Sequence, residues 1–219
     1  MNGKLILSFL KEISENNNQE WFHKNKTLYD KAKQEFEIYV NKLIPAIAVF
    51  DTDIKNISAK DCLFRIYRDI RFSKDKTPYK NNFGAFIAKN GKKCTCAGYY
   101  FHIEPGGSML AGGIYMPPTD TLKLVRSEIY YKTAEFKKII NNKEFVRLFG
   151  NVDGEKLVNV PKDFPKDFPD IDLLKFKSYA ILHKLTDKQL LSENLFEESI
   201  PIFKAMYPLN SFFNKAIEK

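Results

Sequence analysis

The chain has 219 residues, of which 44% are hydrophobic, and 35 Lys or Arg stand against 27 Asp or Glu for a formal net charge of +8. This composition supports a packed core and excludes an intrinsically disordered protein. The length favours one domain, so we expect a single α+β domain over residues 1–219. The apolar run at residues 5–10 is too short to span a bilayer and precedes no cleavage site, so no membrane partner is expected.

The predicted elements begin with two helices. Apolar residues recur at helical spacing through residues 7–13 and 36–47, and Asn16-Asn17-Asn18 supplies the break and the cap between them. Pro45 should bend the second helix or lie near its last turn, because proline lacks a backbone donor.

From residue 62 to residue 116 the pattern changes to β-branched and aromatic residues punctuated by glycine. It predicts strands over 62–68, 83–89, 97–104 and 108–116, with a turn at 104–107 closing a hairpin. Helical spacing returns over 120–131 and 133–149, before a proline-rich loop at 161–169, a short strand near 179–183 and a helix from about residue 194. The sequence therefore predicts a central antiparallel sheet flanked by N-terminal, central and C-terminal helices.

The positive charge is concentrated in one segment. Between Lys60 and Lys93 ten Lys or Arg stand against three Asp, and no acidic residue occurs between Asp75 and Glu104. Positive potential of this kind attracts phosphate, carboxylate or nucleic acid. An anionic small molecule is the expected partner, and nucleic acid remains open as a second one.

The densest part of this segment, residues 65–80, reads RIYRDIRFSKDKTPYK. If its first half is extended, alternation places Arg65 and Arg71 on one face and Arg68 on the other. Guanidinium groups bind phosphate and carboxylate through paired hydrogen bonds, so three arginines could hold an anion while Asp69 orients one of them. The predicted ligand-binding residues are Arg65, Arg68, Arg71, Lys74, Lys76, Tyr79 and Lys80.

A second candidate group lies in the predicted strand over 97–104. Alternation places Tyr100, His102 and Glu104 on one face, and the small residues 111–113 of the next strand should leave space for a pocket opposite the tyrosines. Histidine titrates near neutral pH, so His102 could transfer protons while Glu104 or Asp69 orients its ring and Tyr100 donates to developing negative charge. The predicted catalytic residues are His102, Tyr100 and Asp69.

The cysteines and glycines indicate neither a metal nor a nucleotide cofactor. Cys94-x-Cys96 beside His102 has the wrong spacing for a zinc knuckle, and no glycine loop joins a strand to a helix. Three cysteines are too few for a disulfide framework, which favours a reducing, cytoplasmic compartment.

Several segments resemble those of a known family. Residues 65–80 closely resemble the hallmark R-x-x-R-D-x-R-F-S-K-D-K-T-P-Y-K of a widespread microbial family known as domain of unknown function 2461. Residues 17–22 and 99–107 are similar to its Asn-Asn-x-x-Trp-Phe and Tyr-Tyr-x-His-Ile-x-Pro-Gly-Gly segments. Residues 161–164 resemble its Pro-Lys-Gly-Phe, although Asp163 replaces the glycine and Phe168 stands where a histidine is expected. The resemblance spans almost the whole chain and implies one fold, without an established activity.

Three functions remain open. The favoured one is binding of a phosphate-bearing or carboxylate-bearing small ligand, with or without acid–base chemistry, so whether the protein is an enzyme is undecided. The second is a nucleic-acid-binding module in which Phe72 and Tyr79 stack on bases. The third is a non-catalytic interaction domain whose arginines and aspartates form a structural network.

Overall fold

The computed structural model describes residues 1–152 and 154–218 and places a four-stranded antiparallel sheet among α-helices. The helices are α1 (Gly3–Glu15), α2 (Gln19–Lys24), α3 (Lys26–Ala48), α4 (Ala59–Cys62), α5 (Thr119–Tyr131), α6 (Thr133–Ile140), α7 (Lys143–Phe149), α8 (Asp187–Leu190) and α9 (Leu195–Ile217). The strands are β1 (Phe83–Ile87), β2 (Lys89–Lys92), β3 (Gly98–Ile103), β4 (Met109–Ile114) and β5 (Tyr179–Lys184), and 3-10 turns lie at Thr52–Ile54 and Ile171–Leu174. The predicted α+β class is confirmed.

Asparagine side chains set the helix boundaries near the N-terminus. Asn2 accepts a hydrogen bond from the Leu5 amide at the start of α1, and Asn18 accepts one from Trp21 at the start of α2. Such caps satisfy amides that have no partner inside the helix. The Asn16–Asn18 break is therefore where the sequence predicts it, and Pro45 lies in the last turn of α3.

The main sheet has the order β1-β3-β4-β5, and all of its pairs are antiparallel. The predicted strands over 83–89, 97–104, 108–116 and 179–183 correspond to β1, β3, β4 and β5. The predicted helix over 133–149 is divided into α6 and α7, because the Asn142 side chain caps a new helix by accepting from the amides of Glu144 and Phe145. No helix of the described residues has the length and apolar character needed to cross a membrane.

The predicted strand over 62–68 is wrong. Ser58 and Asp61 form a capping box that starts the short helix α4, which ends at Cys62. The chain beyond residue 65 then folds back on itself, because the Arg68 amide donates to the Pro78 carbonyl and the Lys80 amide donates to the Ile66 carbonyl. We call this closed segment, residues 66–80, the hallmark loop.

One face of β3 is buried under helices, and its opposite face opens onto a cleft. Tyr99 and Phe101 belong to the hydrophobic core, where Phe101 meets aromatic rings of α3 and Tyr99 meets Phe203 of α9. The space predicted beside residues 111–113 is filled at Gly112, because a Cβ there would lie 2.8 Å from the Met206 sulfur of α9. The cleft lies on the Tyr100 and His102 side of the sheet.

Two of the three cysteines form a disulfide, although the sequence favours a reducing compartment. Cys94 and Cys96, in the connection between β2 and β3, are joined by a disulfide. Cys62 is free and buried, and burial raises the pKa of its thiol to about 12. Within the described residues, no group of three or more His, Cys, Asp or Glu side chains is placed to hold a metal ion.

Candidate functional site

An open cleft of about 710 Å³ lies between the hallmark loop, the end of α1 and the exposed face of β3. It brings together six of the predicted site residues, which come from two distant parts of the sequence. Its lining is Ser14, Asn17, Arg68, Asp69, Asp75, Thr77, Tyr79, Lys80, Asn81, Asn82, Tyr100 and His102. Arg65, Arg71, Lys74 and Lys76 lie outside this lining.

Asn17 fastens the hallmark loop to the N-terminal helices. Its side-chain amide donates to the Tyr79 carbonyl at 2.9 Å and accepts from the Tyr79 amide at 3.0 Å, as a neighbouring strand would. The Tyr79 ring is only 3% exposed and stacks on Phe22, with 4.1 Å between the ring centres. Tyr79 therefore holds the loop in place, and stacking on Phe22 already occupies one face of its ring.

Arg68 is the internal anchor of the hallmark loop. Its guanidinium binds the Asp75 carboxylate and the Thr77 hydroxyl, and it donates to the Thr77 carbonyl at 3.2 Å. Asp75 also accepts from the Thr77 amide at 2.9 Å. That amide, followed by Arg68, lowers the pKa of the Asp75 carboxyl to about 2. All three contacts come from Nη1, and Nη2 lies 3.5 Å from the Ser73 hydroxyl, so part of the Arg68 guanidinium is engaged within the loop.

Arg71 is also paired with a carboxylate. Its Nε and Nη2 donate to the two oxygens of Asp69 at 2.9 and 2.7 Å, a bidentate contact that lowers the pKa of Asp69. The Arg71 side chain is 76% exposed, so this pair contributes little to stability. Lys76 donates to the Ile70 carbonyl at 2.9 Å, whereas Lys74 is exposed.

Lys80 is a cation of the cleft lining that forms no ion pair with any described carboxylate, and Arg65, whose charge acts on Lys80, forms none either. The Lys80 ammonium lies 5.5 Å from the centre of the Phe64 ring, and the side chain is half-buried. Burial, followed by the charge of Arg65, lowers the pKa of Lys80. Two cations held close together, one of them partly desolvated, leave positive potential that a bound anion would neutralise.

A chain of hydrogen bonds runs along β3 into the cleft. The Tyr100 hydroxyl lies 3.0 Å from Nδ1 of His102, and Nε2 of His102 lies 3.0 Å from Oε2 of Glu104. Asn81 donates to Oε1 of the same carboxylate at 2.7 Å. Because Glu104 is an acceptor, we assign the His102 proton to Nε2. Tyr100 then donates to Nδ1, and Glu104, rather than Asp69, orients the ring.

The surroundings of this chain fix its geometry. His102 is 7% exposed, and burial, followed by the charge of Glu104, raises the pKa of Tyr100 to about 12. Gly84 of β1 faces His102 across the strand pair and leaves room for the Tyr100 hydroxyl. The Glu104 backbone is held by Ser108, which accepts from its amide at 3.0 Å and donates to its carbonyl at 2.8 Å. Tyr100 is therefore a protonated phenol at neutral pH, supported by a rigid partner.

The sequence does not reveal the asparagines of the site. Asn17, Asn81 and Asn82 all line the cleft, and each lies in or directly beside a segment that resembles the family. Their place in or beside these segments is the one sequence feature that could have identified them. A side-chain amide that bridges distant segments produces no periodic pattern in the sequence. The departures at Asp163 and Phe168 fall outside the cleft lining.

The other two histidines lie elsewhere. His23 is exposed on α2, and Nδ1 of His183 lies 3.0 Å from the Leu148 carbonyl. Neither lines the cleft. His102 is thus the histidine that combines burial, an orienting carboxylate and access to the cleft through Tyr100.

Comparison with known proteins identifies a family. The model of the family described as "Conserved hypothetical protein (DUF2461)" matches residues 5–212. No curated protein and no solved structure matches the chain. The matched range includes both the hallmark loop and β3, and it covers nearly the full sequence. The chain therefore belongs to the DUF2461 family of conserved hypothetical proteins.

Proposed function

We propose that the cleft binds a small compound bearing a phosphate or carboxylate group and transfers protons to or from it through Tyr100, His102 and Glu104. One observation carries this proposal: a hydrogen-bonded chain from Glu104 ends at the Tyr100 hydroxyl in the cleft, whose lining also contains the unpaired ammonium of Lys80. Buried polar chains of this kind, combined with a cleft and a perturbed pKa, mark candidate catalytic sites.

The proposed chemistry follows from the order of donors and acceptors. When a ligand hydroxyl gives its proton to the Tyr100 oxygen, Tyr100 passes its own proton to Nδ1 of His102, and Glu104 stabilises the resulting imidazolium. The reverse transfer returns a proton to the ligand. Coupling to His102 is required because a phenol with a pKa of about 12 is a weak acid at neutral pH.

The electrostatics of the lining favour an anion. Asp69 and Asp75 belong to the lining, but Arg71 and Arg68 bind them, so these carboxylates do not neutralise Lys80. We therefore propose that Lys80, with Arg65 beside it, contacts the anion in place of the predicted clamp of three arginines. The amide of Asn82 supplies a further polar group in the lining.

A thermal-shift screen tests the proposal. Inorganic phosphate, phosphorylated metabolites and organic acids are the ligands, and a compound at ten times its Kd should stabilise the native state by about 1.4 kcal/mol. For a chain of this length the expected rise in Tm is about 3–6 °C. K80M should lose the response, whereas K93M, a change at an exposed lysine outside the cleft, should keep it. No response to any ligand at millimolar concentration, or an equal response in both variants, would contradict the proposal.

One observation favours single-stranded nucleic acid as a second candidate ligand. Phe72, in the hallmark loop, is 95% exposed, and the Arg71 guanidinium lies 5.8 Å from its ring centre. An exposed ring beside cations is the arrangement that stacks bases while contacting phosphates. If this candidate is right, a mixed-sequence single strand binds F72A more weakly than the wild type, and affinity falls steeply with salt. Absence of binding at low salt removes the candidate.

A further inference from the structure

We infer that Lys80 is a nucleophile that forms an imine with the carbonyl group of an anionic aldehyde or ketone. This inference rests on the proposed function of the cleft and names the substrate class: a small compound with both a carbonyl group and a carboxylate or phosphate group.

The backbone of Lys80 is held by a hydrogen bond, whereas its side-chain amine forms no ion pair with a described carboxylate. Its backbone amide donates to the Ile66 carbonyl at 2.8 Å, which holds the Cα at the neck of the hallmark loop. Its side chain lines the cleft, and its Nζ lies against the Phe64 ring instead of a carboxylate. Lys80 therefore borders the cleft, and its amine has no acidic partner among the described residues.

Two lysines that are paired with carboxylates show the opposite environment. Lys89 binds Glu218 and Lys132 binds Glu128, and each carboxylate raises the pKa of its lysine. Burial, followed by the charge of the neighbouring Arg65, lowers the pKa of Lys80. Desolvation beside a second cation is an established way for proteins to make a lysine nucleophilic near neutral pH.

Lys80 attracts the anion as an ammonium and attacks the carbonyl as an amine, so its ammonium must be able to lose a proton. Asp69 and Asp75 are engaged by Arg71 and Arg68, while His102 and Glu104 bind each other. Tyr100 donates to His102 and stays protonated. None of these groups forms an ion pair with Lys80 that would hold the ammonium form.

Imine formation conserves atoms and needs no redox partner. Neutral Nζ attacks the carbonyl carbon, the C=O π bond opens, and the nitrogen loses one proton while the oxygen gains one, which gives a neutral carbinolamine. A second proton on that oxygen allows it to leave as water while the nitrogen lone pair forms the C=N bond. The resulting iminium loses its remaining N–H proton to give the imine. The Tyr100–His102 pair can supply and remove these protons. The guanidinium of Arg65, whose charge acts on Lys80 from outside the lining, remains positive throughout and favours the approach of the anionic group.

Reductive trapping tests the inference. The folded protein is incubated with pyruvate and cyanoborohydride near neutral pH, and peptide mass mapping locates the carboxyethyl group left on lysine by reduction of the imine. We expect Lys80 to be the dominant site and K80R to lose it, while Lys93 reports background labelling of an exposed lysine. Labelling in H102Q should slow by roughly 10²-fold, whereas H23Q, a change at an exposed histidine outside the cleft, should label as fast as the wild type.

The outcomes separate this inference from the proposed function. Equal labelling of Lys80 and Lys93 in the wild type overturns the imine inference, and this result does not depend on whether any variant folds. If phosphate still raises the Tm of the wild type and not of K80M, the anion-binding proposal stands without the imine. Absence of both the labelling and the thermal shift overturns both.

Discussion

Gly84 allows the cleft to be perturbed without removing a functional group. In the pairing of β1 with β3 it lies opposite His102, and a Cβ at this position would be 2.5 Å from the Tyr100 hydroxyl oxygen. To reach ordinary contact at 3.4 Å, the hydroxyl must move by about 0.9 Å. If the hydroxyl moves away from Nδ1 of His102, their separation of 3.0 Å increases to about 3.9 Å, which is too long for a hydrogen bond. We therefore predict that G84A disconnects Tyr100 from His102.

The cost of G84A can be worked out from three terms. Loss of the hydrogen bond costs about 1 kcal/mol, and overpacking costs about 1–3 kcal/mol. Alanine lowers the conformational entropy of the unfolded chain, which stabilises the fold by about 0.4–1 kcal/mol where the backbone accepts a side chain. Gly84 meets this condition, because it is not among the positive-φ glycines. The net destabilisation is about 2 kcal/mol, which corresponds to a fall in Tm of about 4–8 °C.

A double-mutant cycle with Y100F identifies the cause. Urea denaturation of the wild type, both single variants and the double variant gives the coupling free energy. Y100F removes the atom closest to the new Cβ, so G84A should cost about 1 kcal/mol less in that background. An equal cost in both backgrounds would refute the reasoning, because the penalty would then come from the ring or the strand and not from the hydroxyl.

Three further predictions concern Asn17, Asp75 and the cysteines. N17A should destabilise the fold by about 1–3 kcal/mol in urea denaturation, since it leaves two backbone groups of Tyr79 unpaired. The pKa of Asp75 is about 2 in the folded state and 3.8 in the unfolded state, so ionised Asp75 stabilises the fold fully above pH 3.8 and loses this effect as the pH falls through 2. The urea midpoint of D75N should therefore lack the part of the pH dependence that Asp75 causes. Mass spectrometry should show that Cys62 resists alkylation until the protein unfolds, and that Cys94 and Cys96 react only after a reductant is added.

The sequence predicted those features that depend on local periodicity. Alternation places Tyr100, His102 and Glu104 on one face of β3, because the pleat of a strand has a period of two whatever packs against it. The helices around the Asn16–Asn18 break follow in the same way from apolar spacing and capping side chains. Both predictions use residues that are neighbours in the chain.

Features that depend on distant contacts could not be predicted in this way. Arg68 binds Asp75 and Thr77 because the hallmark loop folds back on itself, and alternation along an extended strand does not describe such a loop. The space expected at Gly112 is filled by Met206, which lies far away in the sequence. Each error arose where tertiary packing overrode a local pattern.

The most direct test of the central claim is a histidine NMR titration. The chain has three histidines, so the ring Cε1–H signals of His23, His102 and His183 can be assigned with three single variants. During addition of inorganic phosphate or pyruvate, we expect the His102 signal to move with ligand concentration, while the signals of His23 and His183 stay in place. A His102 signal that does not move at saturating concentration, or moves no more than that of exposed His23, would contradict a ligand site at this cleft.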